Sequence, residues 1–92
     1  MIKILLITQS DCVGCHIMDS IITAIKNVYN ITKVNVSICD KDFIDKNLLK
    51  EENVTDFPTI IIYDNNYKKS IKFLGTVPFI QIQQEIDRLI NK

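Results

Sequence analysis

The sequence has no tryptophan, only two glycines and two prolines, one histidine and three cysteines, and its net charge is zero. Each shortage removes a class of protein. So little glycine and proline excludes collagen-like and low-complexity chains. Aromatic side chains make up 8% of the residues, too sparse and scattered for a base-stacking platform. Eleven basic residues are balanced by eleven acidic ones with no long run of either sign, so the electrostatic footprint of a nucleic-acid binder is missing. No apolar run reaches the length of a membrane span. Three cysteines, an odd count, do not suggest a structural disulfide framework. A phosphate-binding glycine loop and a Ser/His/Asp arrangement are also missing.

What is present reads as one small globular domain over residues 1–92, with 47% hydrophobic and 24% charged residues. Isoleucine is abundant, and asparagine and lysine are common beside the lone Arg88. That bias is the background of an AT-rich genome. The opening stretch, Met1 to Thr8, has an apolar core too short for a secretion signal and runs into Gln9-Ser10-Asp11 without a small-residue cleavage site. It reads as a strand, and a cytoplasmic chain is expected. On that expectation the Asn-x-Ser/Thr triplets at Asn30, Asn35 and Asn53 are not glycosylated.

Hydrophobic periodicity divides the chain further. Residues 2–8 are an almost unbroken apolar run, the pattern of a central strand buried on both faces. Over 16–29 the period changes: Ile17, Ile21, Ile25 and Val28 recur at helical spacing beside Met18, Ile22 and Tyr29. Residues 33–39 alternate, with Val34, Val36 and Ile38 opposite Asn35 and Ser37, which predicts an edge strand. A polar helix is expected over 41–52, carrying Phe43, Ile44, Leu48 and Leu49. Thr59 to Tyr63 is a second central strand, and 70–74 a second edge with Ile71 and Phe73 on one face. The last helix, 78–91, has Pro78 in its first turn and Phe79, Ile82, Ile86 and Leu89 on its inner face. The order is β-α-β-α-β-β-α. Its first βαβ unit must be parallel with a right-handed crossover, and its last two strands antiparallel. The predicted fold is therefore α/β, a four-stranded mixed sheet with helices on both faces.

Two of the cysteines form Cys12-Val13-Gly14-Cys15, placed where the first strand gives way to the first helix. A helix start carries unpaired N–H groups and partial positive charge, which favour a thiolate at Cys12. Cys15 lies close to one turn further on, so the sulfurs can meet. A Cys12 thiolate can then attack a disulfide, and Cys15 can resolve the mixed disulfide. A second signal is Phe57-Pro58-Thr59. A proline directly before a central strand cannot donate to the ladder, and a cis bond in a tight loop is one arrangement that tolerates it.

Cys12-Val13-Gly14-Cys15, Phe57-Pro58-Thr59 and Gly75 together resemble the thioredoxin and glutaredoxin superfamily. The resemblance covers nearly the whole chain and lacks only the extra N-terminal strand and helix of full thioredoxins. It implies a compact thioredoxin-like fold and a thiol–disulfide oxidoreductase, with Cys12 and Cys15 catalytic and Val13, Gly14, Phe57, Pro58 and Gly75 at the substrate. It further implies that Pro58 is cis beside the cysteine pair, that the Phe57 backbone pairs with the substrate chain, and that Gly75 leaves room for it. No bound cofactor and no metal are expected. Electrons would come from NADPH through a reductase, or from glutathione, and the partners would be disulfide-containing client proteins of a monomer. Ribonucleotide reductase is one client that the resemblance suggests.

The sequence also departs from the pattern. The dipeptide between the cysteines is neither Gly-Pro nor Pro-Tyr. Asp11 stands where thioredoxins have tryptophan, and Leu6 where they have a buried aspartate. Glutaredoxins commonly offer basic residues and Thr-Val-Pro to glutathione; here the matching stretch is Asp56-Phe57-Pro58, and Asp11 adds another negative charge. Since glutathione carries two carboxylates, the thioredoxin-type reading stands ahead of a glutaredoxin-type one.

Other readings of the same residues are weaker. Cys12 to His16 satisfies the c-type haem attachment pattern, but that haem is attached after export and Met18 lies too near to be the opposite ligand. A zinc site of Cys12, Cys15, His16 and Cys39 lacks a second ligand pair of the usual spacing. A non-catalytic binding module would not need both cysteines. His16 reads as an exposed helix residue, or as a neighbour that stabilises the thiolate when protonated. Cys39 reads as a small buried hydrophobe, or as a regulatory thiol. Lys41, Lys46, Lys50, Lys68 and Lys69 read as solvated surface.

Overall fold

The computed structural model describes residues 1–30 and 32–91. Strand β1 (Ile2–Thr8) leads to helix α1 (Val13–Val28) and strand β2 (Val34–Asp40). A 3-10 turn (Lys41–Phe43), helix α2 (Lys46–Glu51), strands β3 (Thr59–Tyr63) and β4 (Lys69–Leu74) and helix α3 (Phe79–Ile90) complete the chain. The sheet order is β2-β1-β3-β4. β1 runs parallel to β2 and antiparallel to β3, and β3 is antiparallel to β4. The two unbroken apolar runs are thus the central strands and the two alternating ones the edges, as their patterns predict. Among the described residues no helix is long and apolar enough to cross a membrane.

Alternation along the central strands feeds two cores. Ile2, Ile4, Leu6, Ile60 and Ile62 point to one face, where Met18, Ile22 and Ile25 of α1 and Ile82, Ile86 and Leu89 of α3 cover them. Leu5, Ile7 and Ile61 point to the other, against Ile44, Leu48, Leu49, Val54 and Phe57. Fully burying one such side chain contributes about 1.5–3 kcal/mol, which is why a chain this short places isoleucines on both faces of its central strands.

Three expectations need correction. Helix α1 starts at Val13 with Cys12 as its cap, where the cysteine pair puts its start, but its apolar stripe is displaced. Its buried stripe runs through Cys15, Met18, Ile22 and Ile25, so Ile17 and Val28 lie outside the core, 47% and 58% exposed. Periodicity alone placed that stripe one residue to the side. The helix expected over 41–52 is two pieces. Asp40 Oδ1 accepts the Asp42 N–H at 2.9 Å and Asp45 Oδ1 the Asn47 N–H at 2.8 Å, so each aspartate starts its own short helix. Finally, Ile38 is 41% exposed although its alternation puts it on the covered face: on that face of the edge strand, Val34 is buried, Val36 half-buried and Ile38 exposed.

Candidate functional site

β1 stops at Thr8, and α1 begins five residues later at Val13. Asp11 turns the chain with φ 54°, a left-handed conformation that aspartate tolerates better than most residues. Cys12 follows as the N-cap in extended conformation, and its Sγ accepts the backbone N–H of Cys15 at 3.1 Å. Sulfur here takes the place that a serine or aspartate oxygen takes at other helix starts. Cys12 and Cys15 are joined by a disulfide across a Cα–Cα distance of 5.2 Å. They are not equivalent: Cys15 is 5% exposed, whereas Cys12 is half-buried at the surface beside Val13, which is 76% exposed.

A second loop closes on this turn. The Phe57–Pro58 peptide is cis, as expected. The Thr59 hydroxyl donates to the Asp56 carbonyl at 2.6 Å, and the Gly75 N–H donates to the Pro58 carbonyl at 2.8 Å. The Phe57 carbonyl lies 3.9 Å from Cys12 Sγ, within reach of a thiol there once the disulfide is reduced. Gly14 is where the loops converge. A Cβ on it would stand 3.2 Å from Pro58 Cδ and 3.4 Å from Thr76 Cγ2, so a side chain would have to push one of them aside. Gly75 differs. Its φ is 76° and a Cβ would meet nothing within 4 Å, so it is glycine for its conformation, with open space beside it.

The structure therefore brings Cys12, Cys15, Gly14, Phe57 and Pro58 together, with Gly75 one hydrogen bond away. Val13 projects beside them. Leu6 is fully buried in the α1 core, and His16 is exposed. Cys39 is a free cysteine and only half-buried, near the end of edge strand β2. Among the described residues no group of three or more His, Cys, Asp or Glu side chains is arranged to hold a metal ion.

Three contacts were not foreseen. Lys41 is not solvated surface: it is half-buried, with Nζ 5.5 Å from the Phe57 ring centroid. Lys69, partly exposed, pairs with Glu52 at 3.3 Å. The buried Val77 N–H donates to Met18 Sδ at 3.2 Å and ties the loop after Gly75 to α1. All three join residues far apart in sequence, so no local pattern announces them.

No family model matches the chain, and no curated protein matches it by sequence. Solved structures do. Chloroplastic thioredoxin z superposes with a TM-score of 0.83 at 18% identity, over 100% of this chain and 80% of that one. A Schistosoma mansoni thioredoxin pre-protein gives 0.80 at 15%, over 96% and 78%. Mitochondrial thioredoxin 3 from Saccharomyces cerevisiae, in its oxidised form, gives 0.78 at 20%, again over 96% and 78%. The element order, the mixed four-stranded sheet and these superpositions agree: this chain has the thioredoxin-like fold.

Proposed function

We propose that the chain is a thiol–disulfide oxidoreductase that reduces protein disulfides through Cys12 and Cys15. One observation carries this reading: the Cys12–Cys15 disulfide spans the first turn of α1 with Cys12 at the cap, directly against the Phe57–Pro58 loop. In the reduced protein the Cys12 thiolate attacks one sulfur of a client disulfide. The client S–S bond breaks, its departing sulfur takes a proton, and a Cys12–client disulfide forms. Cys15 then gives up its proton and attacks Cys12 Sγ. The second client thiol leaves, and the Cys12–Cys15 bond closes. Two electrons pass from the pair to the client; Cys15 supplies one proton, and water supplies the other, which Cys12 had given up on ionising.

The rest of the site suits an extended client. Phe57 offers backbone groups beside the disulfide, where a client segment can pair as an added strand. Val13, next to Cys12 in the chain, and Leu74, next to Gly75, are exposed apolar side chains. A monomer, with no bound cofactor, working in the cytoplasm and recharged by an NADPH-linked flavoprotein reductase, fits this chemistry. Glutathione as reductant is the alternative. Asp11 and Asp56, both exposed at the site's edge, weigh against it because glutathione brings two carboxylates.

Two measurements test the proposal. Insulin disulfides should be reduced catalytically by the wild-type protein and not by Cys12→Ser. The oxidised protein should be reduced faster by thioredoxin reductase with NADPH than by glutathione. Absence of insulin turnover would overturn the oxidoreductase reading, and preferential reduction by glutathione would reverse the choice of electron donor.

A further inference from the structure

Lys41 opens the 3-10 turn that follows β2, 16 positions before Phe57 in sequence yet against it in space. The turn is held locally. Asp40 Oδ1 accepts the Asp42 N–H at 2.9 Å, and the Ile44 N–H donates to the Lys41 carbonyl at 3.4 Å. Asp40 is thus engaged with the backbone, and the half-buried Lys41 directs its ammonium over the Phe57 ring at 5.5 Å from the centroid. A cation at that distance over an aromatic face is attracted by the ring quadrupole. Phe57 is the residue whose carbonyl lies 3.9 Å from Cys12 Sγ.

We propose that Lys41 is a positioning residue for client binding: its ammonium lies over the Phe57 ring and fixes it against the cluster of Leu5, Ile7 and Ile61, so that the Phe57 backbone stays presented to an extended client beside the disulfide. This rests on the oxidoreductase reading and adds to it a specificity element outside both the cysteine turn and the proline loop. The contact is made by the charge, so arginine should replace lysine there and an uncharged side chain of similar length should not. Lys41 touches no reacting atom, so its removal should leave the chemical step alone.

The test compares the wild-type protein with Lys41→Met, Lys41→Arg, Phe57→Leu and the double variant Lys41→Met/Phe57→Leu. Insulin is the peptide substrate, and 2-hydroxyethyl disulfide is an uncharged one without a peptide chain. Lys41→Met should raise KM for insulin by roughly two- to fivefold, the range of one exposed cation–π contact, with kcat unchanged. Its turnover of 2-hydroxyethyl disulfide and its Tm should match the wild type. Lys41→Arg should restore KM, and Lys41→Met should have no further effect in the Phe57→Leu background. An unchanged KM in Lys41→Met, an arginine that fails to rescue, or an equal loss without the Phe57 ring would each overturn the assignment. No insulin turnover by the wild type would instead sink the oxidoreductase reading, and this inference with it.

Discussion

Cys12 and Cys15 share one bond but not one environment. Cys15 is 5% exposed beneath the first turn of α1, while Cys12 caps that turn at the surface. Reaction with limiting iodoacetamide after reduction should therefore label Cys12 first, and peptide mapping that found the label on Cys15 would reverse their roles. Cys15→Ser should accumulate mixed disulfides with client proteins, visible on non-reducing gels, and Cys12→Ser should not. Gly14 lies under two opposing effects. Alanine is favoured over glycine in a helix by about 1 kcal/mol, but its Cβ would press on Pro58 Cδ from 3.2 Å. Gly14→Ala should thus change Tm little while raising KM for insulin, because the proline must shift to admit the methyl group. A raised Tm with unchanged KM would mean that the loop yields freely.

Among the elements, α3 is tethered by groups that titrate at opposite ends of the pH scale. Tyr29, just beyond α1, donates to Asp87 of α3 at 2.8 Å. Burial, and then the bond and charge of Asp87, push the Tyr29 hydroxyl up to about 12 from 10.0. A raised value means that the folded state favours the protonated phenol, so this contribution is complete below pH 10 and is lost between about 10 and 12. Tyr29→Phe should flatten the fall of Tm over that window. Glu85 behaves in the opposite sense. The Arg88 hydrogen bond holds its carboxyl below the usual range, helped by Ser70 of β4 at 2.6 Å, so its contribution fades as acid protonates it. The short α2 is tethered by its end. Lys72 of β4 donates to the Glu52 carbonyl at 2.9 Å and the Asn53 carbonyl at 3.5 Å, where the helix leaves acceptors unpaired. Lys72→Met should cost about 1 kcal/mol in urea unfolding. A loss near zero would show that packing alone holds α2. These tethers also explain what the sequence could not reveal. The central strands and α3 were legible because their apolar residues repeat with a fixed period. The break at Ile44–Asp45 was not, because it depends on aspartate side chains bonding to nearby backbone.

At the scale of the whole molecule, the cysteine pair and the proline were each readable locally, since each stands at a junction where its residue type is unusual. Lys41 and Met18 were hidden because their contacts exist only once the sheet has formed. β1 needs both neighbours, β2 from its parallel crossover and β3 from beyond residue 58. A fragment ending at Pro58 would lose Ile60, Ile61 and Ile62 from the two cores and leave β1 with an open edge, so it should show no cooperative unfolding by circular dichroism. During synthesis the order is unfavourable in the same way. The most apolar strand comes first, and its second partner is complete only when Tyr63 has left the ribosome. Until then Ile2–Thr8 is an adhesive segment on a nascent chain, and long-range pairing of this kind is slow. The sheet order that places β1 in the middle therefore makes the newly made polypeptide a natural customer for a holding chaperone.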